Sequence, residues 1–145
     1  MKKLLILVLI VFTQSVFSQK ESRRAPEPQK DLNGNIIPPN EIDIYYSSAI
    51  DVKPEFPGGI QKLYQFIDEN YKKPNKKPTL QGKVFATFIV EINGSLSDIK
   101  ILRDIGHGTG EEVVRVLKLS PRWNPGKLYG KEVRTLYSLV VPVQQ

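Results

Sequence analysis

The residues best placed for chemistry are Gly106-His107-Gly108-Thr109-Gly110, with Glu111 and Glu112 directly after them. They lie between a candidate strand and a candidate helix. Backbone N–H groups at a helix start attract anions, and glycines let a phosphate approach closely. The spacing here is G-x-G-x-G. It lacks the third glycine of a dinucleotide fingerprint and the Gly-Lys-Ser/Thr of a nucleotide loop. Two carboxylates in the first helical turn would also repel phosphate. The same residues suit a capped turn, because Thr109 stands three positions before Glu112, the spacing of a capping box.

His107 is the one histidine of the chain. A hydrolytic triad needs a nucleophile and an orienting acid beside it. Asp104 is near in sequence, but no Gly-x-Ser-x-Gly elbow exists. Glu111 and Glu112 are helix neighbours that point to different sides, so they do not make a glycosidase pair. A single histidine rules out a multi-imidazole metal site, and the absence of cysteine rules out thiolate ligands, disulfides and a Cys nucleophile. No Asp-x-Asp-x-Asp-Gly calcium loop occurs. Trp123 and Tyr129, with Arg122 and Lys127, have the types needed to stack bases, but a tryptophan capping the core explains them as well. The residues therefore point to no enzyme, no cofactor, no metal and no nucleic-acid partner.

Composition is that of a globular protein of modest size. The 145 residues carry 21 Lys plus Arg and 15 Asp plus Glu, a formal charge of +6; 40% are hydrophobic and 25% charged. That suits one globular domain with a tail. A mild basic excess is compatible with acidic peptides or an anionic membrane surface.

The N-terminus has the layout of a secretory signal peptide cleaved after Ser18: a basic Met1-Lys2-Lys3, an apolar run from Leu4 to Phe12, and a short polar exit. The alternative is a retained membrane anchor, for which the run is short against the roughly 20 apolar residues of a spanning helix. An exported chain without cysteine must draw its stability from a packed core.

The elements that would position any site follow from periodicity. Residues 19–49 read as a flexible, proline-containing linker, with apolar residues gathering only at Ile36-Ile37 and Ile42 to Tyr46. The domain proper is expected over 50–145. Ile50-Asp51-Val52 suits a short strand. Ile60, Leu63, Ile67 and Tyr71 fall at helical spacing and predict a first helix ending before Lys72-Lys73-Pro74, with cations in its last turn. Lys83 to Ile92 alternates as a strand, Asn93-Gly94 is a hairpin signal, and Leu96 to Ile105 returns as a second strand. Val113, Val116 and Leu117 mark a second helix, stopped at Ser120-Pro121. Val133 to Val143 alternates as a last strand. The expectation is an α+β fold of two helices packed on a three-stranded antiparallel sheet.

The last strand is the feature most able to do something. Pro142 lacks a donor, so this strand is expected at an edge. Leu136 to Val141 carries no charge and no internal proline, although edges are usually blunted. Either it binds an extended peptide by strand addition, or the 36–52 segment or a second copy of the chain covers it.

From Val52 to Val143 the chain resembles the TonB C-terminal domain in its Bacteroidetes form. The residues that carry the resemblance are Lys53-Pro54-Glu55-Phe56-Pro57-Gly58-Gly59, Gln81-Gly82-Lys83-Val84-Phe85, Asn93-Gly94 and Ile101-Leu102-Arg103-Asp104. They continue with Gly110-Glu111-Glu112, Pro121-Arg122-Trp123-Asn124-Pro125-Gly126-Lys127 and Gly130-Lys131-Glu132-Val133-Arg134. The resemblance implies a periplasmic domain that binds the N-terminal peptides of outer-membrane receptors as an added strand, in support of energy-coupled transmembrane transport. Carried onto this chain, the docking edge is Val133, Arg134, Thr135, Leu136, Tyr137, Ser138, Leu139, Val140 and Val141. The alternative is a self-associating envelope protein, a homodimer paired through the same edge with no role in transport.

Overall fold

The computed structural model describes residues 27–73 and 81–144. The signal-peptide reading of residues 1–18 lies outside them. No helix among the described residues is long and apolar enough to cross a membrane.

The elements run β1 (Ile44–Tyr46), α1 (Gly59–Asn70), β2 (Gln81–Val90), β3 (Leu96–Arg103), α2 (Thr109–Lys118), β4 (Gly126–Leu128) and β5 (Lys131–Gln144). The fold is α+β, as expected. Its three long strands are antiparallel, in the order β5-β2-β3. Two short strands join them. β1 runs parallel to β5, with Ile44, Tyr45 and Tyr46 opposite Arg134, Thr135 and Leu136. β4 makes a hairpin with Lys131 to Val133. The sheet is therefore mixed and has five strands rather than three.

Alternation along the long strands builds one core between sheet and helices. Val84, Ala86, Phe88 and Val90 of β2 and Leu139, Val141 and Val143 of β5 meet Leu63 and Ile67 of α1 and Val113, Val116 and Leu117 of α2. Four aromatic rings close one end. Trp123 lies edge-on to Phe56, Phe88 and Tyr137, at centroid distances of 5.7, 5.4 and 5.2 Å. Its indole N–H donates to Ser120 Oγ at 2.9 Å, so the buried polar handle is satisfied. The Asn93-Gly94 turn docks on this tryptophan, whose backbone N–H donates to the Gly94 carbonyl at 2.8 Å. A Cβ at Gly94 would stand 2.2 Å from the Trp123 carbonyl oxygen, and φ there is +80°. Only glycine meets both conditions.

Three local expectations are corrected. Ile50-Asp51-Val52 forms no strand; Val52 makes one isolated bridge to Lys127, and the first strand lies earlier, at Ile44–Tyr46. The capping box at Thr109 does not form. Gly108, in left-handed conformation, is the N-cap, and Thr109 is buried and donates its hydroxyl to the Gly106 carbonyl. α1 ends at Asn70 without a cation in its last turn. Arg115 of α2 supplies one instead, donating to the Asn70 carbonyl at 2.6 Å while it pairs with Glu112. A cation at a helix C-terminus is favourable whichever element brings it.

Candidate functional site: the outer edge of β5

β5 is held on one side along its length. Thr135 to Gln144 pair with Val90 to Gln81 of β2, with no register shift. In an antiparallel pair, alternate residues send both backbone groups to the same neighbour and the residues between send theirs away. Two contacts fix which set faces outward. The Leu136 carbonyl accepts the N–H of Ser47, at the end of β1, at 3.3 Å. The Val140 carbonyl accepts the Tyr64 hydroxyl of α1 at 3.0 Å. Leu136, Ser138, Val140 and Pro142 thus present their backbone outward. Pro142 stands in register with Lys83, and its missing donor falls on the outer side, where it costs no bond to β2.

The nine residues of the expected edge divide three ways. Val133 is paired with β4, and Arg134, Thr135 and Leu136 are paired with β1. No strand among the described residues pairs with the outer side of Tyr137, Ser138, Leu139, Val140 and Val141. The side chains of Val133, Thr135, Leu139 and Val141 are buried beneath the sheet, with Tyr137 half-buried beside them and stacked 5.4 Å from Phe88. Arg134, Leu136, Ser138 and Val140 lie on the opposite face.

Arg134 organises the covered half. Its guanidinium grips the Glu91 carboxylate with two bonds, of 2.7 and 3.0 Å, and its third nitrogen donates to the Ile42 carbonyl at 3.0 Å. Ser97 adds its hydroxyl to Glu91. The Arg134 bond, with help from Ser97 and against a desolvation cost, holds the Glu91 carboxyl below the ordinary carboxylate range. The fork therefore ties the segment entering β1 to the turn end of β2.

A cleft of about 450 Å³ opens beside the aromatic end. Lys53, Pro54, Glu55 and Phe56 form one wall, and Trp123 and Tyr137 line its floor. Sequence reasoning did not find this cleft or the Arg134 fork; it placed no strand at Ile44–Tyr46, although β1 gives over Arg134 to Leu136 the cover by the 36–52 segment that was its alternative to peptide binding. A signal for β1 was present in the alternation of Ile42, Ile44 and Tyr46. His107 and Glu111, by contrast, are not brought into any cluster able to hold a metal among the described residues. Glu112 is committed to Arg115 and to the Lys72 amide, which donates at 2.7 Å.

The scaffold is α+β, and no described strand pairs with the outer side of Tyr137 to Val141. The chain belongs to the family of Gram-negative bacterial TonB protein C-terminal domains, whose model matches residues 70–143. That family is periplasmic in general, interacts with outer-membrane receptors, and is not a family of enzymes. The match begins at Asn70, yet Phe56, Leu63 and Ile67 before it share the same core. No curated protein and no solved structure matches the chain.

Proposed function

We propose that this chain is a periplasmic binding module that accepts an extended peptide of an outer-membrane receptor as an added strand on β5, in support of energy-coupled transport. It reaches the periplasm through a signal peptide cleaved after Ser18. The observation that carries this reading is the outward-facing backbone of Ser138 and the Val140 N–H, in an uncharged stretch that no described strand covers, with the Val140 carbonyl already held by the Tyr64 hydroxyl. Main-chain bonds supply affinity in such docking, and side-chain pockets supply selectivity. The cleft at Trp123 and Tyr137 lies at this end of the strand.

The test is an NMR titration of the isotope-labelled chain with N-terminal peptides of outer-membrane receptors from the same organism. The expected result is a set of amide shifts concentrated on Tyr137 to Val141. Shifts confined to other surfaces, or none with any peptide, would overturn the reading. The same open edge also suits pairing with a second copy. Sedimentation across a wide concentration range separates the two, because a tight dimer that ignores every peptide favours self-association.

A further inference from the structure

β1 has the properties of a ligand rather than of a core strand. It is three residues long, it is the one parallel strand among the described residues, and Ile44 and Tyr46 are 47% and 67% exposed. Its middle residue, Tyr45, packs against a small cluster of Ile50, Leu128 and Val133, apart from the main core. The chain after it is anchored independently. The amides of Asp51 and Val52 both donate to the Lys127 carbonyl, at 3.0 and 3.1 Å, and the Asp51 carboxylate accepts the Tyr129 N–H at 2.7 Å. Between strand and anchor lies a turn, Ser47-Ser48-Ala49-Ile50, closed by the Ala49 N–H on the Tyr46 carbonyl. The strand can therefore leave β5 by moving about this turn while Asp51 stays in place.

We infer that β1 is an internal stand-in for the docked strand, occupying the first half of the edge and displaying the chemistry that an incoming peptide must match. The identity of that peptide as a receptor segment rests on the function proposed above; the exchangeability of β1 does not. Three requirements follow for the partner. It runs parallel to β5. It places a large, preferably aromatic side chain opposite Thr135, where Tyr45 now fills the Ile50–Leu128–Val133 cluster. It carries a backbone carbonyl where Arg134 now holds that of Ile42. A peptide confined to Tyr137–Val141 has about five residues, or about 17 Å, of edge. A longer one displaces β1.

The probe is a synthetic peptide with this chain's own sequence from Glu41 to Ser48, added to the full chain produced through export. A tethered strand competes at an effective concentration of about millimolar, so the unaltered chain should bind the peptide weakly. A variant carrying Ile44→Asp and Tyr45→Ser should bind it at least tenfold more tightly, with NMR shifts at Arg134 to Leu136, Ile50 and Leu128. No gain in affinity, or shifts elsewhere, would overturn the inference. Hydrogen exchange on the unaltered chain guards against a misfolded variant. The Ser47 amide should exchange at least tenfold faster than the Leu139 and Val141 amides; equal rates would mean that β1 leaves only on unfolding, and the inference fails. Neither readout uses a receptor peptide, so failure here leaves the receptor titration standing, and the reverse holds too.

Discussion

The two edges of this sheet are built on different rules. β3 ends one side of the sheet, and β5 presents the other. The β3 register slips twice against β2, between Phe85 and Ala86 and between Thr87 and Ile89, and Asp98 adopts a positive φ of 47°. Asp98, Lys100 and Arg103 put charges along it. Bulges and charges are the ordinary means of preventing strand addition. β5 keeps an unbroken register over ten pairs and carries no charge from Leu136 to Val141. One edge is closed by sequence. The other stays competent to pair, shielded over three residues by β1 and stopped at Pro142. Unused edges are normally blunted, so the asymmetry supports the proposal that β5 is the working side.

The largest effects come from prolines placed one residue apart on β5. The Leu139 N–H faces β2 and its side chain is buried, so Leu139→Pro removes a ladder bond and a core residue. It should cost at least about 2 kcal/mol, the low end for removing a buried leucine, with the lost ladder bond added, seen as a lowered urea midpoint. The Ser138 N–H faces outward, in the same set as the natural Pro142. Ser138→Pro should therefore change stability far less than Leu139→Pro, because proline is tolerated where the N–H faces away from the ladder, while abolishing peptide-induced shifts on β5. If the two variants unfold alike, the assignment of outward residues is wrong.

Next in size is the fork that holds β1. Glu91→Gln removes the charge opposite Arg134 and weakens a bidentate pair whose members are 28% and 21% exposed. Hydrogen bonds to charged groups contribute about 1.5–3 kcal/mol, but the amide retains part of that bonding, and the expected loss is about 1 kcal/mol. The readout is faster exchange at the Ser47 amide, with Leu139 and Val141 unaffected. Slowed or unchanged exchange at Ser47 would separate the fork from β1.

Much of this was legible in the sequence because it rests on short-range periodicity. Val84, Ala86, Phe88 and Val90 alternate inward as read, Leu63 and Ile67 lie on the buried stripe of α1, and Trp123 is buried in the core. What escaped reading depends on contacts distant along the chain. β1 is three residues long and is positioned by bonds from Arg134 to Ile42 and from Ser47 to Leu136, so no local window contains its cause. The capping box failed for a local reason. His107 and Gly108 both take positive φ, and with Gly108 as the N-cap the helix starts at Thr109, one residue before the start that a Thr109 cap would have set. The alternation of β5 was plain, but which half of its backbone faces outward is a matter of register with β2, and composition does not carry it.

The two edges should behave more alike if β3 is made to resemble β5. Lys100 and Arg103 lie at the exposed edge, and Lys100 pairs with Asp98 at 2.8 Å, with 64% and 49% of the two side chains exposed. Such a surface pair contributes about 0–1 kcal/mol, so Lys100→Val with Arg103→Val should alter the unfolding midpoint little. Self-association should rise with concentration in sedimentation, because the charges that discouraged pairing are gone. A variant that stays monomeric would show that the β3 bulges suffice to close that edge.

The smallest expected effect is an acid one, and its sign follows from two lowered carboxyls. Glu91 is held down first by Arg134, and Glu112 first by Arg115, with the Lys72 amide adding to the latter. A carboxyl lowered on folding stabilises the fold above its unfolded value, about 4.3 for glutamate, and that contribution is lost as pH falls through the folded value. The two sites restrain different things. Glu91 secures the entry to β1, whereas Glu112 and Arg115 join the end of α1 to α2. Acidification below about pH 4 should therefore loosen β1 and the α1–α2 junction while the β2–β5 ladder keeps its protection. Exchange measured at Ser47, Lys72 and Val141 across that range resolves the three. In Glu91→Gln the acid sensitivity at Ser47 should vanish and that at Lys72 persist. Simultaneous loss of protection at all three amides in the unaltered chain would mean that the covered half of the β5 edge opens only with the whole domain.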